Sequence, residues 1–400
     1  MQKISARRPK RFCTPPALVA YPNAMDTNFL HITGNQAIGL LRAARAKDVV
    51  TAAPFHEHHV QGMSSTITSL DDLRAPKLLS WLNIGPKNPL QTLVPSASTR
   101  AWVTGVKNTI LSRDLPSGAF LELTPGKGEH AIRWDPSLRV LIDAPPLALI
   151  HAASELQTHT YGSSNKDLED KLRIIALASE LCGRYARDPK KPLAGRVYYD
   201  KPSELGRFTC PEELRAFIQN ASGLKGIAYA RIGAKYAIDE SGSPMETYIN
   251  HALTLPPRLA GLSMSKPLAN KQLQIKNEID RSRLKHKSIR PDFQWPDLNT
   301  LAEYLGDKDH ASRGARIEDK NRQQDYSLSD CAAFFLMFDD VRSVAALNRT
   351  AMMLARSFAK HGKKFEPYRI ARLQKDSDFL ALQTRLVSQL LPPITRYEES

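Results

Sequence analysis

Two carboxylates stand where a short hairpin would bring them together: Asp292 in the run IRPDFQW and Glu303 in LAEYL. The first run alternates apolar positions at Ile289, Phe293 and Trp295, and the second carries Leu301, Ala302, Tyr304 and Leu305. Between them lies Pro296-Asp297-Leu298-Asn299, whose Pro and Asn are turn formers. Acids on adjacent antiparallel strands can converge on one hard divalent cation, because ions such as Mg²⁺ take carboxylate, carbonyl and water oxygens. The competing reading is a solvated hairpin whose acids keep the sheet soluble.

The elements that would position this hairpin run from about residue 239 to 362. SPMETYINHALT has a strong helix start, with Ser243 as N-cap, Pro244 at the first position and Glu246 at the third. A strand is expected near Ala269 to Ile275. A basic connection follows, with Lys276, Arg281, Arg283, Lys285, His286, Lys287 and Arg290. After the hairpin come a polar helix through ASRGARIEDKNRQQDYSL, a buried-type strand AAFFLMF and a helix VRSVAALNRTAMMLARSFAKH. Helix, three strands, helix, strand and helix describe a mixed sheet flanked by helices, an α/β (α+β) unit. Beyond Lys363 the tail begins polar and holds one amphipathic helix, DFLALQTRLVSQLL.

The rest of the chain divides on texture. Residues 1–28 form a basic, Pro-containing arm. Residues 29–150 read as a helix from Thr33–Asn35 through Asp48, then β runs in TLVPSAS, VTGVKNTILS, GAFLELT and LRVLID. Residues 151–238 read as helical, continuing APPLALIHAASEL into DLEDKLRIIALASELCGRY. TCPEELRAFIQN follows with Thr209 and Glu212 at capping-box spacing, then GLKGIAYARIGAKYAI with a basic face. The His56-Glu57-His58-His59 cluster lacks the i, i+4 spacing of a helical metal pair and reads as a polar loop. TPGKGEH lacks the spacing of a phosphate loop and reads as a hairpin turn.

At 400 residues the chain has room for about two or three domains of roughly 150 residues. Its formal charge of +15 points first to a nucleic acid and second to an anionic membrane surface. Cys13, Cys182, Cys210 and Cys331 contain no CxxC pair, so free thiols in a reducing compartment are expected. No apolar run is long enough to span a bilayer, and the basic N-terminus lacks a sustained apolar stretch, so a cytoplasmic location is expected and no membrane partner.

With the elements placed, SPMET, RPDF and AEYLGDKDH resemble the PD-(D/E)XK, or restriction-endonuclease-like, superfamily. The nearest likeness is to small bacterial very-short-patch-repair-related (Vsr-like) nuclease domains, and it covers roughly the last third of the chain. The IEDKNR segment, with Asp319 and Arg322, is similar to the following helix of that family; an ordinary i, i+3 helix pair is its other reading. LVPSASTR through ELCGRY more loosely resembles the N-terminal part of abortive-infection antitoxin regulators, about residues 30–190. The first resemblance implies that Asp292, Glu303 and the Tyr304 carbonyl hold Mg²⁺, with Glu246 closing the site. It implies that Arg281, Arg283, Lys285, Lys287, Arg290 and Arg322 steady a DNA backbone, and that a metal-bound water attacks the phosphodiester. Glu246 could instead be only a capping acid, and His310 falls one residue later than the family pattern.

Leu305 departs from that pattern. The superfamily puts lysine there and the nearer relatives aspartate, whereas leucine neither donates a proton nor binds a metal. Lys308 or His310 would have to supply the missing group. Losing a positioned acid, base or electrostatic stabiliser costs about 10²–10⁴-fold in rate. Two functions therefore compete: an Mg²⁺-dependent endonuclease acting on DNA in bacterial defence or repair, and a catalytically degenerate, antitoxin-like regulator that only binds nucleic acid. A scaffold for an acidic protein partner rests on charge alone.

Overall fold

Alternating apolar residues in FLELTP and LRVLID build the middle of a six-stranded mixed sheet. In this computed structural model, residues 28–46, 49–61, 63, 67–100, 102–158, 164–187, 197–199, 207–273, 282, 284, 285, 289–305, 313–329 and 331–392 are described. The sheet holds β1 (Asn28–Ile32), β2 (Val50–Phe55), β3 (Leu90–Val94), β4 (Val106–Ile110), β5 (Phe120–Pro125) and β6 (Leu138–Asp143), in the order β2-β5-β6-β1-β3-β4. β1 runs parallel to β6, and β3 parallel to β4, while the other pairings are antiparallel. The expected strands form; β1 and β2 are additional.

Helices α1 (Gly34–Ala46) and α2 (Pro76–Trp81) precede α3 (Pro145–Thr158) and α4 (Ser164–Cys182). A small β7 (Ala186–Arg187) and β8 (Val197–Tyr199) pair leads to α5 (Pro211–Asn220) and α6 (Ile227–Tyr236). At α5 the capping box sits one residue later than the sequence suggests: Cys210 is the N-cap, and Glu213 is its reciprocal acid. Residues from α3, α5 and α6 bury their apolar sides in the same core as the first sheet, so that core runs past residue 150. Helix α4 joins two cores. Leu177, Ala178 and Leu181 enter the first, and Leu168, Leu172 and Ile175 enter the second. Buried Arg42 on α1 clamps Glu180 on α4 at 2.7 Å.

The second core surrounds the hairpin. α7 (Pro244–Thr254) precedes β9 (Leu268–Ala269), β10 (Phe293–Trp295) and β11 (Thr300–Tyr304). α8 (Arg313–Ser327) crosses over to β12 (Ala332–Leu336), and α9 (Val344–Lys360), α10 (Glu366–Leu373) and α11 (Ser377–Leu390) complete the unit. The sheet order is β12-β11-β10-β9, with antiparallel β9, β10 and β11 and with β12 parallel to β11. The chain is thus an α+β protein with mixed sheets. β12 is not the fully buried strand its sequence suggests: Ala332 is exposed and Ala333 to Phe335 are half-buried, because this strand forms the sheet edge. Residues 366–390 pack Ile370, Phe379, Leu386 and Leu390 into the same core. No helix among the described residues is long and apolar enough to cross a membrane. Cys182, Cys210 and Cys331 are free thiols.

The pleat decides which layer each hairpin residue faces. Thr300 bonds Ser357 of α9 at 2.9 Å, and Ala302 joins the core on that side. Leu301 packs with Tyr326 of α8, and Glu303 receives the Tyr326 hydroxyl at 2.8 Å. Glu303 therefore belongs to the α8 face. The turn forms as its residues suggest: Pro296–Leu298 make one tight helical turn, and Asn299 takes the left-handed conformation at φ 42° that Asn tolerates.

Candidate cation site at the hairpin

Glu246, Asp292 and Glu303 come from α7, the entry to β10 and the body of β11, and each is held by backbone or amide donors. Ser243 caps α7 by accepting from Glu246 N at 3.1 Å. The Glu246 carboxylate does not return to Ser243; its Oε2 accepts from Gly242 N and Asn270 Nδ2, both at 2.7 Å. Asn270 stands just after β9, where its own N–H donates to the Asp292 carbonyl at 3.3 Å. Asn270 thus ties α7 to the hairpin, by its side chain at one end and its backbone N–H at the other.

Asp292 and Glu303 are locked reciprocally. Asp292 N donates to Glu303 Oε2 at 3.1 Å, and Tyr304 N donates to Asp292 Oδ2 at 2.8 Å. Glu303 is only 4% exposed, and its two oxygens are fully engaged: Oε1 by Arg322 Nη1 at 2.8 Å, Oε2 by Tyr326 and the Asp292 N–H. The hydrogen bonds to Glu246 converge on Oε2 and those to Asp292 on Oδ2. Glu246 Oε1 and Asp292 Oδ1 are left without a hydrogen-bond donor among the described residues.

The electrostatics follow from this asymmetry. Burial pushes the Glu246 carboxyl up to about 7, against the opposing pull of its Gly242 and Asn270 donors and of the nearby Ser243 hydroxyl, and the Glu303 charge adds to the rise. Asp292 is raised well above the usual carboxylate range by burial and then by the charges of Glu246 and Glu303; the Tyr304 N–H and Arg322 only moderate the effect. The Tyr326 hydroxyl is pushed up by burial and by Glu303. Burial disfavours the Arg322 charge, yet Glu303 outweighs it and holds the guanidinium above its ordinary value. Glu303 has a cationic partner, while Glu246 and Asp292 have none at hydrogen-bond distance among the described residues. Buried acids kept without a counter-ion are a recurring mark of functional sites.

The hairpin thus brings the three expected acids within electrostatic reach of one another. It does not arrange them as a finished metal cage: among the described residues no group of three or more His, Cys, Asp or Glu side chains has metal-holding geometry. Arg322, expected at the nucleic-acid backbone, pairs with Glu303, a contact its spacing from Asp319 concealed. Lys285 is exposed and donates through Nζ to Asn321 of α8 at 2.7 Å. Arg290 is exposed beside the hairpin. Lys308, His310, Arg281, Arg283 and Lys287, like the Asp319 side chain, lie outside the described residues. Leu305 continues the β11–β12 ladder, its N–H donating to the Leu336 carbonyl at 2.7 Å; two residues past Glu303, it shares that acid's face.

Mg²⁺ uses one or two protein carboxylates and keeps several waters. Glu246 Oε1 and Asp292 Oδ1 are the carboxylate oxygens here that accept no hydrogen bond among the described residues, whereas both oxygens of Glu303 are engaged, one of them by Arg322. The Tyr304 carbonyl remains the fourth expected ligand; the N–H of this residue donates to Asp292.

The His56-Glu57-His58-His59 segment is the polar loop its spacing suggests, with His59 3.6 Å from Glu57 and both exposed. Sequence reading missed a second polar cluster, at the carboxyl ends of parallel β1 and β6. There Asp143 Oδ2 accepts from the Thr33 hydroxyl at 2.6 Å and from Gly34 N at 3.2 Å, and lies 2.8 Å from His151 Nδ1. His31 Nε2 is 3.7 Å from Asp143 Oδ1, with both side chains fully buried. No local spacing could reveal this network, since more than a hundred residues separate Thr33 from Asp143.

Searches against protein-family models, curated proteins and solved structures found no match to this chain.

Proposed function

We propose that this chain is an Mg²⁺-dependent, endonuclease-like hydrolase that acts on phosphodiester bonds of nucleic acid, with DNA the favoured substrate and a cytoplasmic role in bacterial defence or repair. The observation that carries the reading is a pair of acids, buried Glu246 and half-buried Asp292, close enough for the Glu246 charge to act on Asp292, both with raised proton affinity and neither with a cationic hydrogen-bond partner among the described residues. Mg²⁺ bound there would polarise a phosphate and acidify a bound water.

The chain's own groups do the positioning. Asn270 and Gly242 aim the Glu246 carboxylate, and the Tyr304 N–H aims that of Asp292. Glu246 and Asp292 must release their protons before they can serve as ligands, so cation uptake is coupled to proton release. Arg322 restrains Glu303, and Arg290 and Lys285 supply exposed positive charge next to the hairpin. Supercoiled plasmid nicking tests the reading. Wild type nicks with Mg²⁺ and not with EDTA, and Asp292→Ala abolishes the activity; equal nicking by both proteins removes the assignment.

A second reading is favoured by a specific pair of observations: Glu303 is already neutralised by Arg322, and Leu305 occupies the position where the resembled family carries a charged group. On that reading the domain is a degenerate, antitoxin-like binder. It predicts salt-sensitive DNA binding with no cleavage under any divalent ion, and binding that does not weaken with salt argues against it.

A further inference from the structure

The turn from α9 into α10 carries two aromatic side chains in water. Phe365 is 82% exposed and Tyr368 76% exposed, large apolar surfaces that a chain ordinarily buries. They are not loose. Gly362 adopts φ 97°, which lets the chain reverse, and Lys363 N returns to the Phe358 carbonyl at 3.1 Å. Arg369 then anchors α10 to the body by donating to the Leu262 carbonyl at 2.6 Å, while Ile370 is fully buried. Phe365, Tyr368 and Arg372 follow i, i+3, i+7 spacing, which aligns them on the outer side of this short helix.

Cations surround the aromatics. Arg356 and Lys360 stand one turn apart on the exposed side of α9, and Lys363 and Lys364 continue from there to Phe365. None of the four has an ion pair among the described residues. The carboxylate inside this stretch, Glu366, is taken up by Arg369 at 2.6 Å. The surface is therefore a track of uncompensated positive charge ending in two stacking platforms. It lies on the α9 side of the second sheet, the layer opposite the Glu303 face.

We infer that the α9–α10 surface binds single-stranded nucleic acid, with Phe365 and Tyr368 stacking on bases and the Arg356–Lys364 track following the phosphates. Single-strand binders combine these two features, since every base offers a ring face and every nucleotide a charge. Two anchors beside a line of cations favour a strand over a membrane surface, which would need a broader apolar face. The inference holds whether or not the hairpin acids cleave anything.

The test is fluorescence anisotropy of the full chain with labelled oligothymidylate, in EDTA so that metal-dependent cleavage plays no part. Phe365→Ala/Tyr368→Ala weakens binding about tenfold or more, given the stacking contribution of each base, and leaves the melting temperature unchanged. Phe365→Trp/Tyr368→Phe keeps wild-type affinity. Lys363→Ser/Lys364→Ser lowers the salt slope by about 1.4, the value for two single-strand phosphate contacts. The inference is overturned if wild type does not bind the oligomer at about 50 mM salt, or if the double alanine variant binds equally well. Binding to phosphatidylserine vesicles without binding to the oligomer overturns it too.

Discussion

Arg322 Nη1 donates to Glu303 Oε1 at 2.8 Å across the space between α8 and β11, and this bond sets how many of the three acids are free to hold a cation. The arginine side chain is 41% exposed and the glutamate 4%. Solvent therefore screens one end of the pair while the other depends on it. Arg322→Met should lower stability by about 1–2 kcal/mol, less than for a fully buried pair. It should also enlarge the rise in melting temperature on adding Mn²⁺, because Glu303 is released toward the cation. Thermal melts with and without metal check both halves.

Glu246 predicts a pH effect whose sign is fixed. Its folded-state carboxyl titrates at about 7 against an ordinary 4.5. The folded chain then holds a proton that the unfolded chain has released, so this group's contribution is present below pH 4.5 and is lost as pH rises through about 7. Glu246→Gln removes the loss: its amide oxygen still accepts from Gly242 and Asn270. In metal-free buffer the variant should match wild type near pH 5 and exceed it by about 1–3 kcal/mol near pH 8. Urea unfolding at the two pH values reads the difference.

Asp143 behaves in the opposite sense. Burial disfavours its charge, yet the hydrogen bonds and charges of His151 and His31 hold its carboxyl well below the ordinary range. Its contribution is present above the ordinary carboxylate pKa and is lost as pH falls through the depressed one. Burial also works against charge on His151, but Asp143 raises that ring, so the ring's share fades as pH rises through its elevated value. Asp143→Asn should cost about 3–5 kcal/mol at neutral pH, as expected for breaking a buried pair. Denaturant unfolding of the variant measures the cost.

Leu305 offers a gain-of-function test. It stands on the Glu303 face at the end of β11, so a lysine there would reach toward the acids. If the hairpin cleaves nucleic acid weakly for want of that group, Leu305→Lys should raise the nicking rate by about 10²-fold or more. No gain in nicking would favour the non-cleaving reading.

Much of the scaffold around the acids could be read from local chemistry. Ser243, Pro244 and Glu246 announced the start of α7, and Pro296 and Asn299 announced the turn of the hairpin. These signals act within four residues, the range over which sequence spacing is informative. Strand β2 escaped notice because VTAAPF carries a proline and little alternation; Pro54 is tolerated since β2 lies at the sheet edge. The carboxylate partners were illegible for a different reason. Arg322 meets Glu303 across 19 residues, and Asn270 meets Glu246 across 24. Both pairings exist only once the sheet and its helices have packed.

The account rests on Glu246 and Asp292 sharing a divalent cation. Isothermal titration of Mn²⁺ into the metal-stripped chain tests it most directly. The predicted result is binding to wild type that releases protons, that disappears in Asp292→Ala and that tightens in Arg322→Met. Binding of equal strength in wild type and Asp292→Ala, or no binding to wild type at all, would contradict it.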